Sequence, residues 1–202
     1  AEGINILTYF GHSSSNTLEF NIDDPTIYNN QGKYPLFVVN GCNAGNFFVY
    51  DTMRRQGGGL TLSEKYILAK ERGSIAFLAS THYGIVNYLN IYTNSLYMEM
   101  SQTSYGKSIG ETQAAALARM LTITGPTDYY SRLHAEEINI HGDPAVHIYS
   151  PALPDYVIED PLLKISPTPV SVADAAFTVD VKFMNIGKAV GDSVDVLIQR
   201  QS

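Results

Sequence analysis

Residues 74–80 read SIAFLAS, a continuous run of apolar and small side chains. A strand that is covered on both faces gives this pattern, because neither face is marked by alternating polar residues, and such strands are typical of parallel sheets. Two similar runs precede it, at 4–10 and at 36–39. We therefore expect three strands of an α/β sheet, each ending in a polar loop.

Helical patterns fill most of the remaining sequence up to residue 150. Two of them begin with a capping box, in which a Ser or Thr is followed three residues later by Glu. The predicted helices are 61–72, 86–100, 108–122 and 128–137, and a last strand is predicted at 145–149. Strands that alternate with helices favour right-handed βαβ units. The predicted fold class is α/β, with a mainly parallel sheet and helices on both faces.

The composition of the chain changes after residue 150. Five prolines lie between 151 and 169, and helical periodicity vanishes there. Strands are predicted at 162–166, 176–185 and 193–199. We therefore predict an α/β domain over 1–150, a proline-rich linker over 151–161 and an all-β domain over 162–202.

Composition excludes several classes of protein. With 202 residues, 45% hydrophobic and 16% charged, the chain has a globular composition. The net charge of -7 without a basic run argues against a nucleic-acid partner. One cysteine permits neither an intrachain disulfide nor a clustered zinc site, and His134, His141 and His147 lack a metal-binding spacing. No apolar run reaches the roughly 18 to 20 residues of a membrane span.

One histidine and the single cysteine stand in corresponding positions. His12 and Cys42 each follow a predicted strand, and their separation of 30 positions is enough for one crossover connection. Ligands bind at the carboxyl ends of the strands of open α/β sheets, and a thiol with an imidazole can perform nucleophilic catalysis. The residues alone leave two readings open: a catalytic dyad, or a core thiol and an ordinary loop histidine.

Four short motifs carry a resemblance to a known family. They are YFGHSS at 9–14, VVNGCNAGNF at 38–47, AKERGSIAFLAST at 69–81 and HGDPA at 141–145. In this order and at these spacings, the chain resembles the gingipain-like cysteine peptidases, which are relatives of the caspases. The resemblance covers about residues 4–150 and implies the caspase-like fold.

The resemblance implies a role for each strand-end residue. Cys42 would be the nucleophile, His12 the general acid/base, and the backbone N–H groups of Ser13 and Cys42 the oxyanion donors. No cofactor or metal would be required. Relatives usually have Gly after the catalytic His, so the Ser13 side chain is expected to crowd the oxyanion site or narrow substrate choice. Contacts to a protein or peptide substrate are expected from Gly11, Gly41, Thr81, His82 and Tyr83.

The resemblance also bears on what lies outside the chain. In these peptidases the acid that orients the His, with part of the specificity pocket, lies upstream. The chain is therefore expected to begin inside a catalytic domain, to need an upstream segment of the same precursor, and to be weakly active or inactive alone. A secreted or surface bacterial protein is implied. An immunoglobulin-like domain would follow, and since that fold takes about 100 residues, 162–202 would be only its beginning.

Two alternative functions remain open. A sortase-like transpeptidase of the same family would keep the acyl-enzyme and replace water by an amine. A pseudo-peptidase would keep the fold as an adhesion or binding module. Two further expectations concern polar residues to which we assign no chemistry: Glu136 and Glu137 on a solvent-facing side of their helix, and Asp143 in an Asx turn before Pro144.

Overall fold

A four-stranded sheet organises the first of two units in the computed structural model. The structure describes residues 3–20, 22–49, 59–158, 163–191 and 193–197. The units are Ala1–Tyr149 and Ser150–Ser202. The sheet has the order β1 (Ile6–Phe10), β2 (Leu36–Asn40), β3 (Ala76–Ser80) and β4 (Ile138–Gly142). The first three strands are parallel and β4 is antiparallel to β3, so the predicted mainly parallel sheet is confirmed.

Helices cover both faces of this sheet, as predicted. Their bounds are α1 Leu62–Leu68, α2 Val86–Ser101, α3 Ile109–Thr124 and α4 Tyr129–Glu137. Val38 and Leu78 pack in a cluster with α2 and α3, whereas Phe37 and Phe77 pack on the other face with α1. Strands β2 and β3 are buried at every position, which explains their continuous apolar sequence. No helix in the described ranges is long and apolar enough to cross a membrane.

The prediction of a last strand at 145–149 is wrong, because β4 lies earlier at Ile138–Gly142. No Gly, Pro or other turn residue separates the end of α4 from the start of β4. The sequence therefore does not mark Ile138 and Ile140 as the beginning of a strand. After β4 the Asp143 side chain accepts a hydrogen bond from the Ala145 N–H at 2.8 Å, which confirms the Asx turn. The carbonyls of Pro144 and Val146 then accept hydrogen bonds from the N–H groups of Gly110 and Ile109 at the start of α3, and not from a neighbouring strand.

Helix α1 ends at Leu68, four residues before the predicted end. Ala69 leaves the helical conformation, and Gly73 has a φ of +85°, which favours glycine. The Ser74 N–H donates to the Tyr66 carbonyl at 3.1 Å, so residues 69–73 form a turn that directs the chain into β3. The helix therefore ends where the chain must turn toward β3, although the helical pattern of the sequence continues to residue 72.

Helix α3 begins with the predicted capping box. The Ser108 hydroxyl accepts from the Glu111 N–H at 3.3 Å, and a Glu111 carboxylate oxygen accepts from the Ser108 N–H at 3.1 Å. These bonds satisfy N–H groups that the helix itself leaves unpaired. Hydrogen bonds from the Ser108 hydroxyl and then its N–H hold the pKa of Glu111 below its ordinary value.

The lowered pKa of Glu111 predicts a pH-dependent contribution to stability. A carboxyl with a lowered pKa in the folded state stabilises the fold above its ordinary pKa, and this contribution is lost as pH falls through the folded pKa. We expect Glu111→Gln to lower the melting temperature at neutral pH, and the difference from wild type to shrink as the pH falls through the folded pKa of Glu111. Glu19→Gln, at an exposed position, is the control and should show no such difference. A pH-independent effect of Glu111→Gln would contradict the expectation.

The second unit contains two pairs of antiparallel strands. The pairs are β5 (Tyr156–Val157) with β8 (Met184–Asn185), and β6 (Leu163–Ser166) with β7 (Thr178–Val181). Strand β5 falls inside the stretch 151–161 that was predicted as a linker, and the predicted strand 176–185 is divided into β7 and β8. The predicted strand 193–199 is not formed over 193–197, where no neighbouring backbone pairs with the described residues; its last two residues lie outside the described ranges. Alternating polar and apolar residues therefore do not form a strand unless a second strand is available for backbone pairing.

Candidate active site

The ends of β1 and β2 lie side by side at one edge of the sheet. The two strands are parallel, and Phe10 is aligned with Asn40. His12 and Cys42 are the second residues after these strands. We call residues 11–15 the β1 loop and residues 41–45 the β2 loop. Because Phe10 and Asn40 are aligned, both loops begin at the same level along the strands.

Two hydrogen bonds join these loops. The Gly11 N–H donates to the Asn40 carbonyl at 3.1 Å. Farther out, the Ser13 hydroxyl donates to the Cys42 carbonyl at 2.8 Å. The side chain of Ser13 therefore links the β1 loop to the peptide bond between Cys42 and Asn43.

Gly11 and Gly41 allow the two backbones to approach closely. A Cβ atom on Gly41 would lie 2.6 Å from the Gly11 carbonyl oxygen and would also meet the Ser13 hydroxyl. A Cβ atom on Gly11 would lie 2.7 Å from the Tyr9 hydroxyl. Both predicted substrate contacts are therefore packed inside the loop junction, where they contribute backbone only.

The β2 loop holds Cys42 in a turn of unusual backbone conformation. Asn43 has a φ of +58°, in the left-handed region that side chains rarely adopt. Cys42 is half-buried, and its Sγ lies 3.8 Å from the Gly84 carbonyl oxygen. We call residues 42–43 the Cys42 turn.

The remaining predicted dyad residue, His12, is exposed at the mouth of the β1 loop. Its carbonyl accepts a hydrogen bond from the Tyr9 hydroxyl at 2.7 Å, which fixes the backbone that carries the imidazole. In the described part of the chain, the backbone N–H groups of Ser13 and Cys42 donate no hydrogen bond. These are the two N–H groups predicted as oxyanion donors.

The loop after β3, residues 81–85, forms the third side of this region and is called the β3 loop. The His82 carbonyl accepts from the Asn43 N–H at 2.7 Å, which brings the β3 loop against the Cys42 turn. The His82 and Tyr83 rings are exposed and contact each other edge to face, with centroids 4.7 Å apart. Thr81 is half-buried. Of the predicted substrate-contact residues, His82 thus contacts the Cys42 turn through its backbone, and Thr81 and Tyr83 are its neighbours in the chain.

Glu137 is a residue that the sequence reading misplaced. It was predicted on a solvent-facing side together with Glu136, and Glu136 is exposed, but Glu137 is buried with 8% of its surface exposed. Burial raises the pKa of Glu137, and His134 and His82 oppose this shift. The Glu137 Oε1 atom lies 3.8 Å from the His82 Nδ1 atom. An acidic group therefore stands behind the β3 loop.

His134, to which the sequence reading gave no role, is completely buried on the same helix. Its Nε2 atom accepts from the N–H of Ile85, the last residue of the β3 loop, at 2.8 Å. A signal for this burial was present in the sequence. Ser131, His134 and Glu137 follow one another at a spacing of three, which places them on one face of a helix.

His141, by contrast, does not join this group of loops. It lies on β4 opposite Phe77, and its ring contacts Phe47 edge to face at 5.1 Å. Burial lowers the pKa of His141, so the neutral imidazole is favoured there. His141 therefore packs as an aromatic side chain.

The fold and sequence were compared with those of known proteins. Three solved structures are similar to the chain: the Arg-specific cysteine proteinase gingipain R (TM-score 0.60, 15% identity), the complex of Porphyromonas gingivalis RgpB pro- and mature domains (0.62, 15%) and a protein described only as a protease (0.63, 13%). They cover 78%, 78% and 81% of this chain, which spans only 37%, 37% and 41% of theirs. These matches confirm the predicted gingipain-like α/β fold.

Sequence comparisons give a narrower result. No curated protein matches the chain significantly. The profile of peptidase family C25 matches residues 1–149, which are almost three quarters of the chain and coincide with the first unit. That match confirms the family resemblance seen in the four motifs. The chain belongs to peptidase family C25.

Proposed function

We propose that this chain carries the nucleophile and the general acid/base of a cysteine endopeptidase. The hydrogen bond between Ser13 and the Cys42 carbonyl carries this proposal, because it joins the loops that present His12 and Cys42. Loops at the carboxyl ends of neighbouring parallel strands are where open α/β sheets bind ligands. Membership of family C25 agrees with this chemistry.

In the proposed reaction, His12 takes the thiol proton and Cys42 Sγ attacks the scissile carbonyl carbon. The N–H groups of Ser13 and Cys42 donate to the oxyanion that forms. As the C–N bond breaks, His12 gives its proton to the departing amine and leaves a thioester on Cys42. His12 then takes a proton from water, and the resulting hydroxide attacks the thioester carbonyl and displaces the Cys42 thiolate. The carboxylic acid product is released, and His12 returns its proton to the thiolate. His12 handles every proton, so no cofactor is required.

For the substrate, we propose that the β3 loop supplies one wall of the binding cleft. The His82 backbone contacts the Cys42 turn, with Thr81 and Tyr83 on either side of it in the chain. Tyr83 is 66% exposed, so its ring has apolar surface available to a peptide. Gly11 and Gly41 would contact the peptide only through backbone groups, since their Cα atoms face the loop junction.

We further propose that an upstream segment of the same precursor completes the active protein. This segment would hold the acid that orients His12 and the rest of the specificity pocket. The chain spans 37% of gingipain R (RgpB), which has also been solved as a complex of its pro- and mature domains. We propose a secreted or surface bacterial protein in which the strands of the second unit, from Tyr156 onward, are the beginning of an immunoglobulin-like domain.

The reaction can be tested on the full-length protein with a peptide library and mass spectrometry. We expect internal peptide bonds to be cleaved with free carboxylate products, and a peptide carrying an electrophile to label Cys42 faster than iodoacetamide does, since the cleft orients it. In a parallel reaction with an added amine, capture of the acyl group as an amide in place of hydrolysis would indicate a transpeptidase. A folded protein that neither cleaves nor transfers would be a binding module, and the proposal would be wrong.

A further inference from the structure

The β3 loop is fastened to helix α4 at both of its ends. At the first end, the N–H and the hydroxyl of Thr81 both donate to the Glu137 carbonyl, at 2.9 and 3.2 Å. At the other end, the Ile85 N–H donates to His134 Nε2 at 2.8 Å. The second attachment is made by a side chain, so it depends on the identity of residue 134.

Between these attachments, the β3 loop supports the Cys42 turn. The His82 carbonyl accepts from the Asn43 N–H, and the Gly84 carbonyl oxygen lies 3.8 Å from Cys42 Sγ. A Cβ atom on Gly84 would lie 3.0 Å from the Gly41 carbonyl oxygen, so the two backbones are in close contact there. Asn43 adopts a left-handed φ, and the bond from its N–H to the His82 carbonyl ties this turn to the β3 loop.

The His134 imidazole has a single defined hydrogen-bonding state in this arrangement. Nε2 accepts from the Ile85 N–H, so the ring proton must be on Nδ1, which lies 2.7 Å from the Tyr130 carbonyl oxygen. The ring also stacks on Tyr88, with centroids 5.3 Å apart and an interplanar angle of 27°. Both nitrogens are occupied and the side chain is completely buried, so His134 is not available as an acid or base for a substrate.

We infer that His134 is a positioning residue that orients Cys42 through the β3 loop, a role whose effect on catalysis rests on the proposed function. Loss of the Nε2 acceptor releases Ile85 and lets the β3 loop shift. The carbonyls of His82 and Gly84 then no longer hold the Cys42 turn in place. Nucleophilic attack needs a closely defined geometry, so displacement of about 1 Å lowers the rate by roughly 100-fold.

Two amide variants separate positioning from simple stabilisation. His134→Gln places an amide oxygen near the position of Nε2 and keeps an acceptor for the Ile85 N–H. His134→Asn keeps only a donor near the position of Nδ1, directed at the Tyr130 carbonyl. We expect the Asn variant to lower kcat by roughly 10- to 100-fold. Alkylation of Cys42 by iodoacetamide should slow as well in this variant, because a displaced thiol is less readily deprotonated by His12. Its KM should stay within about threefold of wild type, and the Gln variant should restore both rates to within about threefold.

Ser131→Ala is the matched control on the same helix. Ser131 is also completely buried, and its hydroxyl is hydrogen-bonded to the Thr124 hydroxyl at 2.6 Å instead of to the β3 loop. Losing this bond should lower the melting temperature while leaving kcat and the alkylation rate within about twofold of wild type. If the losses of rate follow the melting temperatures of all three variants, His134 is merely structural and the inference is wrong.

Equal alkylation rates in the folded Asn and Gln variants would also overturn the inference. Alkylation by iodoacetamide needs no peptidase activity, so the ranking of the variants stands even if the full-length wild type cleaves no peptide and the proposed function fails. If the Asn variant does not fold, imidazole NMR of the wild type decides the question. We expect His134 to be protonated at Nδ1 only, and a proton on Nε2 would exclude the bond to Ile85.

Discussion

Replacement of Cys42 by alanine should abolish peptide cleavage by the full-length protein, with a loss of roughly 10⁴-fold or more, because Cys42 is the only one of these 202 residues with a thiol and no other residue of the site can form the thioester. The fold should be nearly unchanged. Cys42 is half-buried at a loop mouth, and removing its Sγ is expected to cost no more than about 1 kcal/mol of stability. Turnover is measured with a cleaved peptide, and folding by thermal melting.

His12→Ala is the companion variant. Without the imidazole, the thiol loses its base and the leaving amine its acid, so turnover should also be lost. The thiol itself remains, and slow alkylation of Cys42 should still be measurable. A Cys42→Ala protein that cleaves peptides as well as wild type would refute the assignment of the nucleophile. Full activity of His12→Ala would refute the assignment of His12 as the general acid/base but not that of Cys42 as the nucleophile.

Gly41→Ala should lower turnover by at least about 100-fold and destabilise the fold by about 1 to 3 kcal/mol. The added Cβ would lie 2.6 Å from the Gly11 carbonyl oxygen, a backbone atom that cannot rotate away. The β1 and β2 loops must therefore separate, which weakens the hydrogen bond from Ser13 to the Cys42 carbonyl. Turnover and the melting temperature are measured together.

Gly59→Ala is the matched control for this substitution. A Cβ atom on Gly59 meets nothing within 4 Å among the described residues, so the same chemical change should leave turnover and melting unaffected. The double variant Gly41→Ala, Ser13→Gly removes the contact with the Ser13 hydroxyl but leaves that with Gly11. It should therefore remain impaired. Wild-type turnover in Gly41→Ala would show that the close approach of the loops does not matter.

The elements that the sequence predicted well are those with local causes. Most of SIAFLAS, from Ala76 to Ser80, forms β3 because a buried strand needs only apolar or small side chains on both faces. The capping box of Ser108 and Glu111 acts within one helical turn. The prediction of a strand at 145–149 failed for the opposite reason. Strand β4 exists because its backbone pairs with β3, and such pairing is a contact between distant parts of the chain.

The site divides in the same way. The sequence by itself placed His12 and Cys42 directly after two strands, since strand ends and turn residues are marked by short patterns. Only the tertiary structure decided which groups hold Cys42, because the contacts from Ser13, His82 and Gly84 depend on strand register and on how tightly the glycine backbones approach. The burial of His134 was decided there too. The spacing of residues along a helix indicates which of them share a face. Only the packing of α4 against the β3 loop shows that His134 binds the Ile85 N–H.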